Sequence, residues 1–216
     1  MTFLTRGMPA VALRGPTIAL LSLALVALLP TDLSRKAEAA EMLPPGERIQ
    51  VLAKEAIAVM VDEALEPKDR RAAFRELLND AFDLDNVAKF VLGRHGRRLN
   101  AGQRAEFRQL FEDFLIVSYV SKLDTYAGED LVVHATRETG PKRVTVTSDL
   151  RLPSGEPVGV DWHMREGESN WQIVDIVIEG VSLAVTIRSE FTSVISKSGG
   201  VAELLKRLRR VTSRAI

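Results

Sequence analysis

The hydrophobic period of this chain changes twice, and no other feature restricts its fold as much. From Ile49 to Leu123 apolar residues recur three and four apart, the period of helices buried along one stripe. From Asp130 to Ile178 they alternate with polar residues, the period of strands. Past Gly180 the helical period returns. Strands at this spacing joined by short polar turns make an antiparallel meander, so the order predicts an α+β fold: a curved antiparallel sheet flanked by N-terminal and C-terminal helices.

The first helix carries Ile49, Leu52, Ala53, Ala56, Ile57, Met60 and Ala64 on one stripe. Pro67 suits the first turn of a second, with Phe74, Leu77 and Leu78 on one side. A third runs from Leu84 to Leu92 and stops at Gly93. Asn100 and Gln103 form a capping pair for a long helix with Phe107, Leu110, Phe111, Phe114, Leu115, Ser118 and Leu123 on it, closed at Tyr126-Ala127-Gly128. Strands are expected at Val132–Thr136, across Val144, Val146, Leu150 and Leu152, across Val158, Val160, Trp162 and Met164, and from Trp171 to Ile178. Pro153-Ser154-Gly155 is a turn. The Trp171–Ile178 strand is apolar on both faces, which predicts a central position covered on both sides. Ser182 is an N-cap, Ser198-Gly199-Gly200 a breaker, and a final helix sets Val201, Leu204, Leu205 and Leu208 against Lys206, Arg207, Arg209 and Arg210. That basic face suits anionic headgroups or an acidic partner, or is simply solvated.

Before this domain, Ile18–Leu29 is an uncharged apolar run behind Arg6 and Arg14, ended by Pro30 and followed by Ala37-Glu38-Ala39. This is the pattern of a cleaved signal peptide over residues 1–39, which would export the remainder. Arg35 and Lys36 beside the cleavage site leave a retained anchor as the alternative, although the run is shorter than the ~20 residues of a spanning helix. The rest reads as a single domain over 40–216, mainly helical over 40–128, a sheet over 129–180 and helices over 181–216.

Composition narrows the chemistry. Lys plus Arg and Asp plus Glu are 29 each, so the chain is no dedicated nucleic-acid binder. It has no cysteine, which removes disulfides, thiolate catalysis and cysteine-based zinc sites. Its three histidines, His95, His134 and His163, lack metal-ligand spacing. Nucleotide, metalloprotease and nucleophile-elbow motifs are missing. No cofactor or catalytic residue is expected. Asp175 is the one acid of interest, because on simple alternation it shares a face with Trp171, Ile173 and Val177 in the most apolar strand. Left unpaired it would serve as a general base, with Tyr119 or Tyr126 as donor. Paired to an arginine, or capping a neighbouring segment, it would be structural.

The loop GRHGRR places Arg94, Arg97 and Arg98 together, either to hold a phosphate or as a solvated loop balanced by Glu106 and Glu112. The sheet offers Val144, Val146, Val160, Trp162, Ile173 and Val177, and the helices offer Phe107, Phe111, Phe114, Val185 and Ile187. Pattern alone does not separate an ordinary core from the lining of a pocket.

One set of motifs does point further. The run FDLDNVAKFVLGRHGRRLNAGQRAEFRQLFEDFLIVSYVSKLDTYAGE, followed by WQIVDIVIEGVSLAVTIRSEF, resembles the MlaC or toluene-tolerance auxiliary family of periplasmic phospholipid-binding proteins. The resemblance extends over about residues 70 to 210, and the ending SLAVTIRSEFTSVISKSGGVAELLKRLR is similar to a hopanoid-associated branch, the HpnM-type proteins. Where the family usually has a Trp after Val91-Leu92-Gly93, this chain has His95-Gly96. The resemblance implies an NTF2-like fold and a carrier of phospholipid or hopanoid. It would shuttle cargo between an inner-membrane ABC transporter with an MCE-domain ring and an outer-membrane lipoprotein complex. Acyl chains would lie among the apolar residues just named, with Arg94, Arg97 and Arg98 near the headgroup. An enzyme of similar fold using Asp175, or a ligand-free adaptor, are the alternatives.

Overall fold

The computed structural model describes residues 42–120, 130–151, 155–197 and 199–213. The expected signal peptide, the helix end at Tyr126-Ala127-Gly128 and Pro153-Ser154 of the expected turn lie outside them, as does the side chain of Tyr119. Everything described belongs to one compact unit within Ala40–Ile216. No helix among the described residues is long and apolar enough to cross a membrane.

The helices are α1 (Pro45–Val61), α2 (Pro67–Ala81), α3 (Leu84–Leu92) and α4 (Ala101–Leu115), then α5 (Leu183–Lys197) and α6 (Val201–Thr212) after the sheet. Their starts follow from local chemistry. Proline opens α1 and α2, where a missing N–H costs no helical hydrogen bond. Asp83 caps α3 by accepting from the Asn86 amide at 3.1 Å. Asn100 and Gln103 close a reciprocal capping box at the start of α4. Between α3 and α4, Gly93–Arg98 winds as a 3-10 turn. Instead of running on as one helix, α4 passes at Leu115 into a π turn over Ile116–Val120.

Strands β1 (Asp130–Gly140), β2 (Arg143–Arg151), β3 (Val158–Glu166), β4 (Trp171–Ile178) and β5 (Val181–Ser182) form one antiparallel meander in sequence order. The first strand is longer than Val132–Thr136 because its polar end, Arg137–Gly140, still pairs with β2. A buried layer of Val144, Val146, Met164 and Ile173 meets Ile49 and Leu52 of α1. A second core, around Phe107, Phe111 and Phe191, lies among α3, α4, α5 and α6.

The expectation that β4 is central and covered on both faces does not hold. Its neighbour β5 is only two residues long, and Ile173 is its one fully buried residue. The rest of the β4 edge is closed by the α2–α3 connection: Phe82 bridges Ile173 in parallel, and the Asp83 amide donates to the Ile173 carbonyl at 3.0 Å. This blunts an edge that would otherwise be open to pairing. Apolar residues sit along β4 for another reason, which the cavity supplies.

Simple alternation also fails within β4. His163 pairs with Asp175 while Met164 pairs with Ile173, so Val174 is an extra, bulged residue. The bulge reverses parity. Asp175 therefore sits opposite His163 and shares its face with Val177, not with Ile173. At the end of β4, Glu179 and Gly180 both have positive φ, 49° and 77°, and join Ile178 to Val181 as a two-residue hairpin turn. The Glu179 carboxylate also accepts from the Gly159 amide at 2.6 Å, which ties the corner to β3.

Candidate functional site

Between the sheet and the α1–α2 pair lies a cavity of about 550 Å³. One wall is the apolar stripe of α1 (Ile49, Leu52, Ala53, Ala56, Ile57 and Met60) with Phe74, Leu77, Leu78 and Ala81 of α2. The opposite wall is Val160 and Trp162 of β3 with Ile173, Val174, Ile176 and Ile178 of β4. Leu131 and Leu150 extend it on β1 and β2, and Leu84, Val87, Leu115, Ile116, Leu183, Ala184 and Ile187 complete the lining. The bulge at Val174 matters here, because it turns neighbouring residues of β4 toward the same space. Intermediate burial along β4 is thus the signature of a cavity wall.

Among the described residues, Asp175 is the one charged residue in the lining. Its Oδ2 accepts from the Ser182 hydroxyl at 2.5 Å and its Oδ1 from the Ala184 amide at 3.0 Å. The Ser182 hydroxyl in turn accepts from the Val185 amide at 3.0 Å. Asp175 and Ser182 together satisfy the first turn of α5, where free N–H groups and the helix dipole favour a carboxylate. His163 stands 3.9 Å away. Both oxygens of Asp175 are engaged in capping, so the arrangement is structural and leaves no free base aimed at the cavity. Tyr126, the other partner considered for it, is outside the described residues.

Trp162 is the one aromatic residue of the sheet in the wall. Its Nε1–H donates to Ser148 Oγ at 2.9 Å, and that hydroxyl donates to the Val160 carbonyl at 3.0 Å. The polar edge of the indole is satisfied within the sheet, which leaves its apolar surface to the cavity.

Of the residues singled out from sequence, Val160, Trp162, Ile173 and Ile187 come together in this lining. The others do not. Phe107, Phe111 and Phe114 pack with Phe191; the Phe107 and Phe111 rings stack at 5.7 Å, and both meet Phe191 edge-on. The α4 stripe faces other helices, because a stripe announces burial and says nothing of what buries it. Val144 and Val146 lie on the cavity side of the sheet but are sealed in the core beside α1. Val177 is on the other face of β4, and Val185 is 54% exposed on the outside of α5. Arg94, Arg97 and Arg98 are exposed in the 3-10 turn, and none lines the cavity. The α1–α2 wall was missed as a site. Its signal was Ala53 and Ala56, small residues on a stripe that elsewhere carries large ones.

Two carboxylates brace the helices around this site. Glu112 on α4 accepts from Arg75 of α2 at 2.7 Å, from Arg108 at 2.8 Å and from Asn79 at 3.1 Å. Burial opposes its ionisation, but these hydrogen bonds outweigh it and hold its pKa below the ordinary value. Asp83 behaves alike: burial opposes ionisation, and Asn86 and Arg165 prevail.

The family model described as MlaC protein matches residues 50–210. The chain belongs to the MlaC family. A relative from Haemophilus influenzae, the intermembrane phospholipid transport system binding protein MlaC, is 21% identical over 155 residues, 70% of this chain and 72% of the relative. Among solved structures, a phospholipid-binding protein from Ralstonia solanacearum in complex with a phospholipid superposes with a TM-score of 0.69 at 21% identity. The match covers 80% of this chain and 99% of that one. At that identity the likeness establishes the fold: an MlaC-like α+β domain, with helices flanking an antiparallel sheet.

Proposed function

We propose that this chain is an exported carrier that holds the acyl chains of a phospholipid in the cavity between the sheet and α1–α2. The observation that carries the reading is the lining itself: about 550 Å³ of space bounded by apolar side chains, with one carboxylate already committed to a helix cap. Ligand sites span roughly 300–1,000 Å³. Each methylene moved out of water contributes about 0.8 kcal/mol, so a long acyl chain alone accounts for several kcal/mol without any reaction chemistry. Among the described residues no cation in the lining would pair with a phosphate, so in this reading the headgroup stays outside while the chains enter. Relatives named for phospholipid binding and intermembrane phospholipid transport support the same cargo. In this reading residues 1–39 direct export and are removed, the site of action is the periplasm, and cargo passes between an inner-membrane transporter and an outer-membrane complex.

Native mass spectrometry of the protein purified from periplasm, with extraction and identification of bound lipid, tests this. A phospholipid at near one-to-one is expected. A bound hopanoid would change the cargo while keeping the carrier. Protein that is empty and takes up no lipid from vesicles would sink the proposal.

A further inference from the structure

The 3-10 turn between α3 and α4 holds charge that the cavity does not use. Arg94, Arg97 and Arg98 are all exposed there. The acids that sequence offers as their balance are committed elsewhere. Glu106 pairs with Arg209 at 2.5 Å, and Glu112 is shared by Arg75 and Arg108 at 2.7 and 2.8 Å. Among the described residues none of the three arginines has an ion pair.

A fourth guanidinium joins them from α5. Arg188 lies over the ring of Phe90, 4.9 Å from its centroid, and is likewise without a carboxylate partner among the described residues. Gly93, at φ 51°, makes room for it: a Cβ there would meet Arg188 Nη2 at 3.0 Å. Phe90 itself stays 41% exposed. His95, in the same turn, has its pKa held down by burial and then by the charges of Arg94 and Arg98.

We propose that this arginine turn, with Arg188 and Phe90, is a docking surface for an anionic phospholipid bilayer. Four guanidinium groups without an ion pair among the described residues match the negative potential of such a surface, and arginine meets phosphate oxygens with a rigid two-pronged donor set. The exposed Phe90 ring favours a bilayer over an acidic protein, because a ring among cations supplies apolar area to the headgroup boundary. None of these residues lines the cavity, so the surface does not depend on what the cavity carries.

Co-sedimentation of the full exported chain with vesicles decides it. The probes are phosphatidylcholine alone and an equal mixture of phosphatidylcholine and phosphatidylglycerol. Binding to the mixed vesicles only is expected, weakening as salt shortens the Debye length from about 30 Å at 0.01 M to about 8 Å at 0.15 M. Each arginine near the surface should contribute about fivefold, so R94Q/R97Q/R98Q should lose on the order of a hundredfold and Arg188→Gln about fivefold. Equal binding to both vesicles, no binding to either, or undiminished binding by the triple variant would overturn the proposal. Lipid loading measured on the same triple variant keeps the two readings apart: it should be unchanged, and a cavity that never loads leaves the vesicle result standing.

Discussion

Ser148 and Trp162 form a polar pair in the wall of an otherwise apolar cavity: the half-buried indole's Nε1–H reaches Ser148 Oγ at 2.9 Å, and Ser148 is 3% exposed. An indole beside an apolar cavity has nowhere else to place its N–H. Ser148→Ala should therefore leave that donor unsatisfied and cost about 1–3 kcal/mol. It should also free the ring to tip into the cavity and weaken lipid uptake. Ser148→Thr, which keeps the hydroxyl, should recover most of both. Urea denaturation reads the stability. Tryptophan emission, compared between a Trp171→Phe background and its Ser148→Ala derivative, reads the ring. An unchanged spectrum and uptake would mean that packing alone orients Trp162.

Asp175→Asn separates a capping carboxylate from a catalytic one. The amide keeps one acceptor for two donors, the Ser182 hydroxyl and the Ala184 amide. A loss of about 1 kcal/mol is expected, with faster hydrogen exchange at Ala184 and Val185 as the first turn of α5 frays. Lipid uptake should survive. Unchanged exchange at these amides would show that the cap is dispensable.

Much of this architecture was legible from the sequence because it is local. The helix periods, the Asn100–Gln103 capping box and the Ser182 cap all follow from residues a few positions apart. The site was less legible because it depends on which stripe faces which. Phe107, Phe111 and Phe114 read as a promising wall, yet their partners are Phe191 and the leucines of α6. The bulge at Val174 changed the parity of half a strand, and alternation has no means of announcing one extra residue. Val185 and Ile187 lie on one short helix, and only the latter is turned inward.

Acid should loosen the helices around the cavity before neutral or alkaline conditions do. Glu112 and Asp83 have folded pKa values below their ordinary 4.5 and 3.8. A depressed folded pKa contributes stability that is complete above the unfolded value and is lost as pH falls through the folded one. The contribution of these two carboxylates should therefore be constant from neutral pH to about 5 and decline below about 4, while His95, whose folded pKa is lowered, adds a separate loss that begins as pH falls through its ordinary 6.5. Glu112→Gln should lower the neutral plateau and flatten part of that decline, because its contacts to Arg75 and Arg108 lose their charge. Urea midpoints across the pH range read both effects, and an identical slope in the variant would remove Glu112 from the cause.

Ala56 offers the most direct test of the cavity, because it lines the space on α1 without filling it. Ala56→Phe puts a ring where an acyl chain would lie. In a sealed core such an enlargement costs about 1–3 kcal/mol in strain, whereas in an empty cavity the ring gains apolar contacts with little displacement. The variant should therefore melt at or above the temperature of the parent while losing most of its lipid loading. The opposite pairing, a destabilised protein that still loads normally, would mean that cargo is held somewhere other than between α1 and β4.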